Sequence, residues 1–150
     1  MTTILIIAHD PLASALKAVA AHAFPDYAAA MEVLDVKVGT DVDEIEAQAR
    51  ALLARHAGVP TLVFVDAFGA SPCNAAVRLL DNPKTRVVAG VNVPMLWRTL
   101  CYGTDEPLEA LVARAVAGAM QGVIPVTVSR PQNQSQRTAV HDQAGRNDQQ

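Results

Sequence analysis

Apolar residues along the chain fall into short unbroken runs that alternate with longer helical repeats. Ile4 to Ile7 are four consecutive aliphatic residues with no polar alternation, the signature of a strand covered on both faces. The run stops abruptly at His9. Asp10 and Pro11 follow as an N-cap and first helical residue, because an Asp side chain accepts from free amides and Pro lacks an N–H that would be unpaired anyway. Leu12, Leu16, Val19, Ala20 and Ala23 then recur at helical spacing until Pro25 ends the repeat.

The same grammar returns three times. Met31–Val36 is a weaker second strand, and Thr40 or Asp41 caps a helix with Asp43, Glu44 and Glu46 early and Arg50, Arg55 and His56 late, the order a helix dipole favours. Gly58 ends that helix. Thr61–Asp66 is a third strand closing on a single carboxylate. The loop Ala67–Ala70 leads to Ser71 and Pro72, read as another N-cap and first helical residue, with Asn74, Val77, Leu79 and Leu80 behind them. Thr85–Val91 is the fourth strand, and Asn92 turns it into a helix containing Trp97 and Leu100. Pro107 opens a helix through Leu108, Leu111, Val112, Ala115 and Val116. Gly122–Val128 reads as a last strand, which Pro125 confines to an edge or a subunit boundary.

This alternation predicts an α/β fold: an open sheet of four parallel strands with helices on both faces, in the order 2-1-3-4, plus a C-terminal edge strand. In that order the winding reverses between the first and third strands, and ligands bind outside the carboxyl ends at such a reversal. His9 and Asp66 occupy those two ends. The domain spans residues 1–128, and from Ser129 to Gln150 apolar residues nearly vanish, which predicts a disordered polar tail.

Composition narrows the function. The 150 residues are 51% hydrophobic but 4% aromatic, so Ala, Val and Leu must fill the core of one domain. A formal charge of −3 without a basic cluster speaks against nucleic acid as a partner. His9, Asp10 and Pro11 interrupt the first apolar run, so neither a signal peptide nor a membrane span fits, and a cytoplasmic protein is expected. Cys73 and Cys101 are isolated, which fits reduced thiols and argues against a disulfide framework or a zinc site. No metal or cofactor is called for. His22 falls off its helical stripe and reads as a surface residue, His56 as a helix C-terminal cation, and His141 belongs to the tail.

His9 next to a helix start is suited to receive an anion. A neutral imidazole is a competent nucleophile toward phosphorus, and a carboxylate on its other nitrogen fixes the tautomer and stabilises the cationic ring formed on attack. Asp66 is the candidate orienter. Donors for the phosphoryl oxygens are Ser71 and the amides from Gly69 through Ala70 onward. From the pattern alone each residue also has a structural reading: His9 as a plain strand-end residue, Asp66 as a loop cap, Ser71 as an N-cap. Gly69-Ala-Ser-Pro is not a nucleotide P-loop, since no Gly-Lys-Ser/Thr follows.

Three segments carry a family resemblance: Ile-Ile-Ala-His9, Val65-Asp-Ala-Phe-Gly-Ala-Ser-Pro-Cys-Asn-Ala-Ala76 and Val88-Ala-Gly-Val-Asn-Val-Pro-Met-Leu96. In order and spacing they closely resemble the mannose-type enzyme IIA (EIIA) proteins of the bacterial phosphoenolpyruvate-dependent sugar phosphotransferase system (PTS), over roughly Thr3 to Val126. The resemblance implies that His9 is the phosphorylated residue, taking its phosphoryl group from HPr and passing it to a IIB component. It implies that Asp66 is the partner of the histidine and that Ser71 lies near the phosphoryl group. It further implies an antiparallel last strand exchanged across a homodimer, and contact with a membrane only indirectly, through a permease complex.

The chain departs from the family in two places. Ala8-His9-Asp10 stands where the family usually has Thr-His-Gly, which removes a hydroxyl and sets a carboxylate beside the site unless Asp10 is turned away as the helix cap. After the domain comes a polar segment and no second domain, so a separate IIA protein is expected. Two alternatives stay open: the same chemistry used as a regulatory signal toward a partner without sugar transport, and a receiver-like domain phosphorylated on Asp66. The latter lacks paired acidic residues at the end of the first strand, where only Asp10 stands.

Overall fold

The computed structural model describes residues 1–128. Four parallel strands, β1 (Thr3–His9), β2 (Glu32–Val36), β3 (Thr61–Val65) and β4 (Thr85–Ala89), form one sheet in the order β2-β1-β3-β4. That is the predicted order. β1 lies between β2 and β3, with Leu5 paired to Glu32 and His9 to Val36 on one side, Thr3 to Thr61 and Ile7 to Val65 on the other. The strand is therefore buried through Ala8 and emerges only at His9.

Alternate residues of β1 enter two separate cores. Ile4, Ile6 and Ala8 pack with Leu62, Phe64 and residues of α1 (Leu12–Ala23), α5 (Val93–Cys101) and α6 (Leu108–Gln121). Leu5 and Ile7 pack with Val63, Val65 and residues of α3 (Val42–Leu53) and α4 (Ser71–Arg78). Continuous aliphatic runs are needed because both faces are covered, and full burial of each such side chain contributes about 1.5–3 kcal/mol. This two-sided burial gives the carboxyl ends of β1 and β3 a rigid base.

Several local expectations shift. Pro25 ends α1 and also starts a short helix, α2 (Pro25–Ala30), that helical spacing does not reveal. In α1 Leu16 and Ala20 are buried as the stripe predicts, while Leu12 and Ala23 are exposed and Ala13 is buried in the first turn instead. In α4 Val77 points outward and Cys73, Ala75 and Ala76 are buried instead, and in the 3-10 turn that follows, Leu79 is buried and Leu80 exposed. In α6 Leu111, Ala115 and Gly118 face inward and Val116 outward. A Cβ on Gly118 would lie 2.4 Å from the Arg98 Cβ, and one on Gly122 2.2 Å from the Pro94 Cβ, so α5 and α6 approach at a closeness only glycine permits. Asp41 is the cap of α3, accepting from the Glu44 N–H, and Asn92 caps α5 through the Met95 N–H.

The expected last strand does not form within the chain. Residues 123–128 have no regular structure, and Val123, Ile124, Val126 and Val128 are exposed. The predicted disordered tail, residues 129–150, lies outside the described residues, as does His141.

Candidate functional site

Where β1 and β3 end side by side, His9 and Asp66 meet. The His9 backbone N–H donates to Asp66 Oδ2 at 2.9 Å, and the ring Nδ1 lies 2.6 Å from the same oxygen. The Ala67 N–H donates to Asp66 Oδ1 at 2.9 Å. Two backbone amides from two chain segments thus set the carboxylate, and the carboxylate sets the ring. Asp66 keeps 12% of its side-chain surface accessible and His9 55%, so the orienting group is covered and the imidazole projects to solvent.

These contacts determine the chemistry available. Burial alone pushes the Asp66 carboxyl up, but the His9 backbone amide, the His9 ring and the Ala67 amide together outweigh it and hold its pKa below the ordinary carboxylate value. An ionised Asp66 accepts only, so Nδ1 must carry the proton in that contact. The neutral ring then has its lone pair on Nε2, in a side chain that is 55% accessible. A carboxylate-backed imidazole with a free lone pair is a nucleophile or proton acceptor, and a positive ring formed on reaction would be stabilised in place.

The loop after β3 brings further donors. Gly69 has φ of +81°, a left-handed backbone that an L side chain would strain. The sequence pattern makes Ser71 the N-cap of α4, but Ala70 takes the cap position and Ser71 is the first helical residue. Its hydroxyl makes no capping bond and is exposed. The Ala70 N–H is turned back to the Ala67 carbonyl at 3.4 Å, which withdraws one of the three expected donors. Among the described residues the Gly69 and Ser71 amides have no protein acceptor. Phe68 stands 89% exposed at the loop tip.

The connection after β1 differs more from expectation. Asp10 is not the cap of α1: Pro11 takes that position, Leu12 is the first helical residue, and the Asp10–Pro11 peptide bond is cis. The Asp10 N–H donates to the Val36 carbonyl at 2.9 Å, continuing the ladder between β1 and β2. The first turn of α1 is served from across the sheet, where the Ser14 N–H donates to Asp35 Oδ1 at 3.0 Å and the Ser14 hydroxyl donates to Asp35 Oδ2. Asp35 is not among the residues the sequence singles out. Its signal there is a lone carboxylate one residue before the end of a strand, the same polar interruption that marks Asp66.

The remaining candidates lie elsewhere. His56 does sit beyond the end of α3, and its Nε2 is 2.9 Å from Glu32 Oε1 at the start of β2, the end of the sheet away from His9. His22 is exposed on α1. Cys73 is buried and Cys101 exposed, both as free thiols. Among the described residues no group of three His, Cys, Asp or Glu is placed to hold a metal, and no helix is long and apolar enough to cross a membrane.

Comparison with known proteins identifies the family. The family model EIIA-man, described as the PTS system fructose IIA component, matches residues 3–116. The chain is 38% identical over 93 residues to the PTS system mannose-specific EIIAB component of Escherichia coli K12, covering 60% of this chain but 29% of that protein. In fold it is similar to the mannose/sorbose-specific IIA subunit from Enterococcus faecalis (TM-score 0.76, 22% identity, 87% of this chain and 98% of that one). It is also similar to a phosphotransferase-system EIIA component from Streptococcus agalactiae (TM-score 0.71, 19% identity, 83% and 97%). With the matched segment spanning both strand ends that build the site, the chain belongs to the mannose-type EIIA family of the phosphotransferase system.

Proposed function

We propose that the protein is a phosphoryl carrier that accepts a phosphoryl group from phospho-HPr on His9 and passes it to a IIB component. The observation that carries this reading is the 2.6 Å contact of His9 Nδ1 with a carboxylate that two backbone amides hold in place. It leaves Nε2 as the attacking atom. The Nε2 lone pair forms the new bond to phosphorus as the bond to the donor breaks, while the Nδ1 proton stays on the ring and Asp66 offsets the positive charge. The Ser71 hydroxyl and the free amides of Gly69 and Ser71 donate to the phosphoryl oxygens. Transfer onward to the acceptor reverses these steps and returns the ring to its starting tautomer.

Assembly follows from the exposed aliphatic segment at residues 123–128. Val123, Ile124, Val126 and Val128 are too apolar to remain in water without cost, and β4 is an open edge of the sheet. Exchange of this segment as an antiparallel strand across a homodimer would satisfy both. The family's setting further supports a cytoplasmic carrier that meets the membrane only through a permease complex.

The test is labelling with phosphoenolpyruvate, enzyme I and HPr. One acid-labile, alkali-stable phosphate per chain is expected, and His9→Ala should abolish it. Labelling that survives His9→Ala contradicts the assignment, and a hydroxylamine-labile phosphate lost in Asp66→Ala would identify a receiver-like acyl phosphate instead.

A further inference from the structure

The short connection from β1 to α1 holds a negative charge directly after the acceptor histidine, and that charge has no partner of its own. Asp10 is exposed, and among the described residues its carboxylate takes part in no hydrogen bond or ion pair. The helix that follows is equally without a local anchor. Pro11 fills the cap position, where it has neither a side-chain acceptor nor an N–H, and one backbone bond from the Ala15 N–H to the Pro11 carbonyl closes the first turn.

Both ends of the connection are instead tied to the last two residues of β2. The Asp10 N–H is held by the Val36 carbonyl, and four residues later the Ser14 N–H and hydroxyl are both held by Asp35. Asp35 pairs in the ladder with Ala8, and Val36 with His9, so this clamp sits level with the acceptor histidine itself. A carboxylate at a helix N-terminus is favoured by the dipole and by the free amides there, and two bonds to one residue fix direction as well as position.

We propose that Asp35 is a positioning residue for phosphoryl transfer at His9: through Ser14 it holds the His9–Leu12 connection so that the Asp10 carboxylate stays clear of the incoming phosphoryl group. It touches neither the ring nor the phosphoryl group. Its effect comes from geometry, because a dianionic phosphoryl oxygen set and a carboxylate brought together repel, and a misplacement of about 1 Å near a reacting centre can cost roughly a hundredfold in rate. Removing Asp35 frees the connection, and Asp10 can then sample positions beside Nε2. The inference rests on the reading of His9 as the phosphoryl acceptor.

The experiment measures the rate of phosphorylation by phospho-HPr and the melting temperature for the wild type, Asp35→Ala, Ser14→Ala, Asp10→Asn and the double variants Asp10→Asn/Asp35→Ala and Asp10→Asn/Ser14→Ala. Asp35→Ala and Ser14→Ala should each slow phosphorylation roughly ten- to a hundredfold, while Asp10→Asn stays near the wild type. Both double variants should recover to within about threefold of the wild type, although their melting temperatures stay as low as those of the parent single variants. That split is what a merely structural cap would not produce. Double variants as slow as Asp35→Ala and Ser14→Ala, or single variants as fast as the wild type, overturn the proposal. If Asp35→Ala does not fold, the Ser14→Ala pair still distinguishes the two outcomes, through the loss of a single exposed hydroxyl. A wild type that takes no label, or a His9→Ala variant that does, overturns the acceptor reading itself, and is seen before any Asp35 variant is compared.

Discussion

The two strand ends that build the site begin alike in sequence and finish differently in structure. After β1 comes His9-Asp10-Pro11 and a helix; after β3 comes Asp66, a loop, then Ser71-Pro72 and a helix. Both carboxylates stand one residue after their strand. The one after β3 gathers three donors, two of them backbone amides. The one after β1 caps nothing and leaves its helix to be held by Asp35 from the neighbouring strand. A carboxylate becomes part of a site when neighbouring strands aim amides at it. Standing before a helix start is not enough.

Exchanging the chemistry of the two ends should therefore have very unequal effects. The largest is expected for Asp66→Asn. The amide can present the wrong group to Nδ1 and carries no charge to offset a positive ring, so transfer should fall by roughly 10²–10⁴-fold with the fold retained. Stopped-flow transfer from phospho-HPr would show it, and a loss under about tenfold would mean that the carboxylate does not act through the ring. The same variant should alter acid stability. Asp66 has its pKa lowered in the folded chain, so its contribution is present above the unfolded carboxyl value near 3.8 and is lost as pH falls through the lower folded value. Asp66→Asn should remove that part of the acid dependence in melts below about pH 4.

A smaller effect is expected in the β3 loop. Gly69→Ala places a Cβ at φ of +81° with open space around it, so strain without a clash should cost about 1–2 kcal/mol in thermal or urea unfolding. An unchanged stability would show that the loop relaxes and that its backbone is not fixed for anion binding. The smallest effect belongs to the β1 side. Asp10→Ala should change stability by less than about 0.5 kcal/mol, because the side chain makes no cap bond. A loss near 1 kcal/mol, the usual cost of a lost cap, would return Asp10 to the capping role that its sequence position suggests.

What can be read in advance follows from which forces are local. β1 and β3 announce themselves because both of their faces are buried, and alternation with right-handed crossovers announces a parallel sheet; the order β2-β1-β3-β4 requires in addition that β1 and β3 be neighbours, which no local pattern dictates. His9 and Asp66 are legible as the polar stops of those runs. The Asp35–Ser14 clamp is not, because cap and helix stand 21 residues apart and meet only once β2 lies beside β1. The packing of Gly118 and Gly122 against Arg98 and Pro94 leaves no hydrophobic period to detect, since the contact depends on missing side chains. The first turn of α1 departs from its apolar stripe because Ala13, a small residue, takes the buried place that the pattern assigns to Leu12. Residues 123–128 look like a strand in composition, yet a strand needs a partner, and within the single chain this segment pairs with neither open edge of the sheet.

The central point is the division of labour within one ring, with Nδ1 held by Asp66 and Nε2 left to react. Long-range proton–nitrogen correlation spectra of uniformly ¹⁵N-labelled protein, before and after phosphorylation by phospho-HPr, read it directly. The phosphorus should be found on His9 Nε2, with the Nδ1 proton retained. Phosphorus on Nδ1, or a free ring whose proton sits on Nε2, would contradict it.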